Sequence, residues 1–164
     1  MLFLLIEIAG SRYALDARQV AEVLPLVNVT RIPEAPAAIV GVINYRGMPV
    51  PVVDMSQLTI GRFAERRLST RLILVHFPDA TGRTHLLGLV AERTTRTVHI
   101  DESDFVASGL TNDAAGYLGP VAPDPDGLVQ WIDVPRILPA PVREMLFRES
   151  GTSWCPEPPT SNAS

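Results

Sequence analysis

Lysine is absent from this 164-residue chain, whose 14 basic residues are all arginine. That absence removes Walker-type phosphate loops, Schiff-base chemistry and Ser-Lys catalysis, each of which needs a lysine amine. Cysteine occurs once, as Cys155, so neither an internal disulfide nor a multi-cysteine zinc site can form, and a reducing compartment is the natural home. No apolar run approaches the roughly 20 residues of a spanning helix, so no direct membrane insertion is expected. The opening Met1-Leu2-Phe3-Leu4-Leu5-Ile6 is broken by Glu7 and has no basic lead or small-residue cleavage pattern. It reads as the first strand of a cytoplasmic protein, not as a signal sequence. A basic stripe is also lacking, and the net charge of −4 argues against nucleic-acid binding.

The marks of catalysis are equally scarce. His76, His85 and His99 fall on different predicted strands without His-x-x-x-His spacing. Only His76 and His85 flank one turn, so a shared metal would require them to meet across a hairpin. No serine sits in a Gly-x-Ser-x-Gly elbow and no Gly-x-Gly-x-x-Gly occurs. Asp101, Glu102 and Asp104 lack the glycine and distal glutamate of a calcium loop and read as a solvated turn. The expectation is a protein with no catalytic residue, no metal and no cofactor.

What the chain does have is punctuation: 15 prolines and 11 glycines imply many turns and short elements, hence a mainly β fold. A hairpin is predicted from Leu2–Ile8 into Tyr13-Ala14-Leu15, then a short helical turn from Ala17 to Val20 capped by Asp16. Apolar residues continue through Val23, Leu24 and Leu26, where Pro25 and Pro33 keep any helix short. A second hairpin is predicted over Gly41–Val53, with Pro49 and Pro51 marking an edge strand. Gln57–Ser69 reads as a polar connection. Strands follow at Arg71–Phe77, His85–Ala91 and Thr95–Ile100, then a loop over Val106–Ala115. A last pair, Tyr117–Val121 and Leu128–Ile132, flanks a turn at Pro123–Gly127, and short helices are predicted from Asp133 and Pro141. One domain is expected over residues 1–150, with a disordered Pro-rich tail at 151–164 holding Trp154 and Cys155.

Arg46 stands out because it sits at the corner between two apolar strands, in Asn44-Tyr45-Arg46-Gly47. A long cation there calls for something that uses its fork of donors. Two roles stay open: a structural ion pair, with Glu22 as the obvious partner, and contact with another protein.

Several stretches in register resemble the CheW-like family, the adaptors of bacterial chemosensory arrays that couple receptors to the histidine kinase CheA. They are Tyr13-Ala14-Leu15-Asp16, Gln19-Val20-Ala21-Glu22-Val23-Leu24, Thr30-Arg31-Ile32-Pro33 and, most specific, Gly41-Val42-Ile43-Asn44-Tyr45-Arg46-Gly47 with Pro49-Val50-Pro51-Val52-Val53-Asp54. Tyr45 replaces the leucine usual in the family pattern. Weaker similarity continues through Leu87-Gly88-Leu89-Val90 and Val98–Asp101 to about residue 140. The resemblance implies two intertwined SH3-like β-barrels of five strands each, with short helices, and no catalysis.

The implied partners are the regulatory domain of a CheA-type kinase and the cytoplasmic tip of methyl-accepting chemoreceptors, which places the protein in the cytoplasm at membrane receptor arrays. By position, Arg46, Glu22, Asn44 and Gly47 would form the signalling surface, with Val20 and Val23 on the same face. Met55-Ser56 departs from the family and is expected to alter the polar surface of the first barrel. Pro120, Pro123 and Pro125 crowd the last hairpin, with Trp131 in its second strand. Such departures suit a surface-attachment or second-messenger pathway as readily as swimming. The competing reading is a small β-barrel ligand-binding protein or enzyme, which would need a pocket collecting His76, His85 or the acids at 101–104.

Overall fold

The computed structural model describes residues 1–79, 81–109 and 116–147. Among these, ten strands form two five-stranded sheets. In chain order they are β1 (Leu2–Ile8), β2 (Ser11–Asp16), β3 (Val20–Pro25), β4 (Ile39–Tyr45), β5 (Met48–Asp54), β6 (Arg71–Pro78), β7 (Thr84–Ala91), β8 (Arg93–His99), β9 (Leu118–Asp124) and β10 (Gly127–Ile132). Two short α-helices join them, α1 (Met55–Ile60) and α2 (Ala140–Leu146). The first sheet has the order β8-β1-β2-β10-β9 and the second β3-β6-β7-β5-β4. The middle of the chain makes the second sheet. Both flanks combine in the first, where β10 pairs in parallel with β2, Val129 opposite Arg12.

The strands read as unbroken apolar runs because the central ones are buried on both faces. In β1, Phe3 and Leu5 join a cluster with Ala14, Ala122 and Val129, while Ile6 and Ile8 enter a core shared with the second sheet. In β6, Leu72 and Leu74 pack with Val50, Val52 and Val90, while Ile73, Val75 and Phe77 enter the shared core. Successive side chains leave opposite faces of a strand, so each sheet has an apolar interior of its own and gives its other face to the common one. Trp131 belongs to the first sheet's interior, edge-on to Phe3 at 5.0 Å between centroids.

Each sheet curls until its two edge strands come within side-chain reach. In the first, Arg96 on β8 donates to Asp124 on β9 at 2.8 Å, and Arg12 on β2 reaches the same carboxylate at 2.7 Å. In the second, the Tyr45 hydroxyl on β4 donates to Glu22 on β3. Ten strands in two curled five-stranded sheets agree with the architecture the resemblance implies.

Several elements differ from the sequence reading. Residues 20–25 form strand β3: the Asp16-capped turn is a 3-10 helix that stops at Gln19, and the β-branched Val20 and Val23 then pair with Val75 and Ile73 of β6. The expected polar connection begins as α1, because Asp54 Oδ1 accepts from Ser56 N at 2.9 Å and Gln57 N at 3.1 Å. Asp54 Oδ2 accepts from Ala64 N at 3.0 Å, so one buried carboxylate fixes both the helix start and the return of the loop. Met55 and Ser56 are buried, so the departure there changes the core and not the polar surface. Strand β5 is interior, not an edge. Its pairing with β7 begins only at Val52, however, so Pro49 and Pro51 lie where one neighbour alone is present and a missing N–H costs nothing. Pro120 and Pro123 lie inside β9 and are tolerated because that strand is an edge. Val106 is bridged to Val121, with N–H···O distances of 2.8 and 2.9 Å, so the loop expected at 106–115 starts tethered. Residues 110–115, and the tail with Trp154 and Cys155, lie outside the described residues.

The β6–β7 turn carries an acid-sensitive device. Asp79 accepts from the Thr81 hydroxyl at 2.5 Å, from His85 Nε2 at 2.7 Å, and from the backbone N–H groups of Thr81 and Arg83 at 2.8 and 3.0 Å. These bonds, the Thr81 hydroxyl foremost and the His85 ring next, hold the carboxyl well below the usual carboxylate range. A carboxyl depressed in the folded state binds fewer protons there than in the unfolded chain, so its contribution is present above about pH 4 and fades as pH falls. Asp79→Asn is therefore expected to flatten the acid side of the stability curve. Thermal melts between about pH 6 and pH 3 should show a smaller drop for the variant than for the parent chain.

Candidate functional site

Strands β4 and β5 pair antiparallel with Tyr45 opposite Met48, which leaves a two-residue turn, Arg46-Gly47. Both residues have positive φ, +50° and +81°, the pattern of a type I′ turn that follows the right-handed twist of its strands. Gly47 suits such a conformation. Arg46 does not, because a Cβ in the left-handed region costs about 1–2 kcal/mol. Asn44 pins the turn by accepting from Gly47 N at 2.9 Å through Oδ1. The motif thus has local physical content: one residue to tie the corner, one glycine to make it, and between them an arginine held where asparagine or glycine would sit more easily.

Glu22 and Arg46 do come together, but the first hold on the carboxylate belongs to Tyr45. Its phenol donates to Glu22 Oε2. That bond, aided by desolvation, raises the phenol above its ordinary range because the proton is shared with an anion. Arg46 Nη2 stands 3.9 Å from the same oxygen, beyond hydrogen-bond reach. The guanidinium carbon lies 5.1 Å from the centroid of the Tyr45 ring, within cation–π range. The Arg46 side chain is 78% exposed against 37% for Glu22, so the cation faces outward and the carboxylate is half-covered.

Sequence reasoning noted Tyr45 only as a departure. Its signal was a phenol at a corner next to a predicted partner of Glu22, and what hid the contact was that β3 and β4 are opposite edges of one sheet. Val20 and Val23 do not share the face of Glu22, as they had been expected to. A register shift between Val20 and Glu22 sets Val20 and Val23 beside Val75 and Ile73, on the shared-core side, and leaves Glu22 beside Leu74. Val20 packs against that core and Val23 is 38% exposed.

The groups considered for ligand chemistry are dispersed. His85 is opposite Phe77 and His76 is opposite Leu86, so the two rings leave their hairpin on opposite faces and cannot meet. Asp101, Glu102 and Asp104 are exposed around a one-turn 3-10 helix. A cavity of about 580 Å³ opens between α1, the loop after it and the β1 and β8 ends, lined by Ser56, Ile60, Arg62, Phe63, Glu7 and Arg93 among others. Neither the histidines nor those three acids line it.

Comparison with known proteins follows the same lines. The sequence pattern of the CheW-like domain matches residues 2–142. The chain is 26% identical over 132 residues to the chemotaxis protein CheW of Bacillus subtilis, covering 79% of this chain and 81% of that one. It is 28% identical over 99 residues to CheW of Helicobacter pylori, where the match covers 60% of this chain and spans only 56% of the relative. FrzA of Myxococcus xanthus is 30% identical over 113 residues, covering 69% of this chain and 68% of FrzA. Among solved structures, the scaffolding protein TtCheW from Thermoanaerobacter tengcongensis superposes with a TM-score of 0.76 at 26% identity, covering 88% of this chain and 92% of that one. A match running from β1 into α2, through both sheets and the strained Arg46 corner, has one reading: the chain belongs to the CheW-like domain family.

Proposed function

We propose that this chain is a non-catalytic adaptor that couples chemoreceptors to a CheA-type histidine kinase in a bacterial chemosensory complex. The observation that carries the reading is the family match across nearly the whole described fold, shared with proteins named for chemotaxis and scaffolding. The finer assignment is that the Arg46, Glu22, Asn44 and Gly47 corner contacts the kinase regulatory domain or the receptor tip, with Val20 and Val23 serving a separate face of β3. The setting is the cytoplasmic side of membrane receptor arrays, and the output is chemotaxis or a related surface-sensing pathway. Residues 1–150 act as one domain in this reading. An adaptor of this kind works by biasing interface populations, and a few kcal/mol of differential contact suffices.

The test is reconstitution of kinase autophosphorylation with receptor-bearing vesicles, with and without the chain. Receptor ligand is expected to control the kinase only when the chain is present. Equal control in its absence would remove the adaptor role, and full control by Arg46→Ala would remove the corner from it.

A further inference from the structure

The cavity beside α1 lies at the opposite end of β5 from the Arg46 corner, a strand length of about 20 Å away. One wall comes from α1 and the loop after it. The other comes from the end of β1 and from Glu92, where the chain leaves β7 for β8 and so passes from one sheet to the other. The loop wall is held in place. Gly61 closes α1 in the left-handed region at φ +72°, and the Asp54 carboxylate accepts from Ala64 N, so Arg62 and Phe63 are carried on a short segment tied at both ends.

Three arginines and three glutamates line the cavity, and most of them cancel in pairs. Arg93 donates to both oxygens of Glu7, at 2.7 and 2.9 Å, and Arg67 is paired with Glu65. One cation and one anion are left over. Among the described residues Arg62 has no hydrogen bond or ion pair, and Glu92 meets no cation, its Oε1 accepting only from Ala9 N at 3.0 Å. The wall also contains Ser56, which is 1% exposed and whose Oγ has no hydrogen-bond partner among the described residues, a condition that buried hydroxyls rarely show. Ile60 and Phe63 add apolar lining that the fold itself leaves 43% and 60% exposed.

We propose that this cavity binds a small zwitterion with an apolar body, an α-amino acid or short peptide, whose carboxylate is taken by the Arg62 fork and whose ammonium is taken by Glu92. Arginine matches a carboxylate with two parallel N–H···O bonds, and Glu92 keeps Oε2 for an N–H donor. A ligand of one sign would leave the other group unanswered. Ile60 and Phe63 cover the apolar part, and a volume of about 580 Å³ is that of a small-molecule pocket. The site is independent of the adaptor reading, and it places a ligand where the chain crosses between its two sheets.

The test is an NMR titration of the isotope-labelled full chain with the dipeptide leucyl-phenylalanine, beside its N-acetyl form, which lacks the ammonium, and its C-terminal amide, which lacks the carboxylate. The free dipeptide is expected to shift the amides of Ser56, Arg62 and Glu92 saturably, with a Kd of about 1 mM or tighter. Each blocked form should bind at least about fivefold more weakly. Arg62→Ala should weaken the free dipeptide by a similar factor and leave the amide form unaffected. Glu92→Gln, which keeps an oxygen for Ala9 N, should weaken the free dipeptide and leave the N-acetyl form unaffected. Arg66→Ala, outside the lining, should bind like the parent.

Shifts that fail to saturate by about 10 mM overturn the proposal. Equal binding of the N-acetyl form also overturns it, by making this an anion site served by Arg62 alone. So does parent-like binding in Arg62→Ala, a substitution at an exposed residue that decides the matter even where Glu92→Gln disturbs the fold.

Discussion

Replacing Arg46 with asparagine is expected to make the protein more stable and less useful. Asparagine tolerates the left-handed backbone that Arg46 occupies at φ +50°, and with Gly47 it would complete the Asn-Gly pair that type I′ turns favour most. Recovering part of the backbone cost should raise stability by about 0.5–1 kcal/mol, and the midpoint of thermal unfolding by roughly 1–4 °C. The same change removes the exposed guanidinium. In the reconstituted system, receptor control of the kinase should fall to the level seen without the chain. A variant that melts higher yet keeps full control would show that the strain at this corner serves no partner. A variant that melts lower would show that the cation holds the turn together, through Glu22 or the Tyr45 ring.

Gly41→Ala is expected to be among the most damaging single changes for the fold. A Cβ built on Gly41 would lie 2.0 Å from the backbone oxygen of Thr30 and 2.7 Å from its carbonyl carbon, contacts that no side-chain adjustment can relieve. The crowding comes from the bridge by which Thr30 and Val42 exchange N–H···O bonds of 2.9 and 2.8 Å. That bridge ties the 26–38 segment across the edge strand β4, and the segment in turn lays Ile32, Ala35 and Ala38 against the shared core. Separating the two backbones should cost at least about 3 kcal/mol, or some 6–12 °C in melting midpoint. Hydrogen exchange resolved along the chain should show protection lost first at Thr30 and Val42. A variant with parent-like melting and protection would mean that the two backbones need not approach so closely.

The two substitutions mark how far the sequence could be read. The apolar runs at Leu2–Ile8 and Arg71–Pro78 announced strands because both their faces are buried, and the turn at Arg46-Gly47 announced a hairpin. The nearness of Glu22 to Arg46 was also legible, because an arginine at a hairpin corner calls for an acid within reach of its fork. Less legible was anything set by which strands become edges. Tyr45 finds Glu22 only because β3 and β4, at opposite ends of the strand order, are brought together by curl. The face of Val20 was hidden by a one-residue register shift that spacing alone does not show, whereas Val23 follows Glu22 directly and leaves the opposite side of β3 by plain alternation. The helix α1 was missed for a different reason. Its start is written in Asp54, which the chain presents as the end of a strand, and a cap that serves two elements carries no signal of the second.

The way the first sheet is assembled from both flanks bears on the order in which the molecule is made. The second sheet uses a contiguous stretch, residues 20–91, which leaves the ribosome before β8, β9 and β10 have been made. The β1–β2 hairpin is synthesised earlier still, yet β2 must wait for β10. Arg12 and its carboxylate Asp124 are 112 positions apart. Closing so long a loop is slow, and until it closes β2 presents a bare edge to any other nascent chain. For the time it takes to translate residues 17–126 that edge stays open, and a second copy of the same strand is a chain whose hydrogen-bonding groups would fit it.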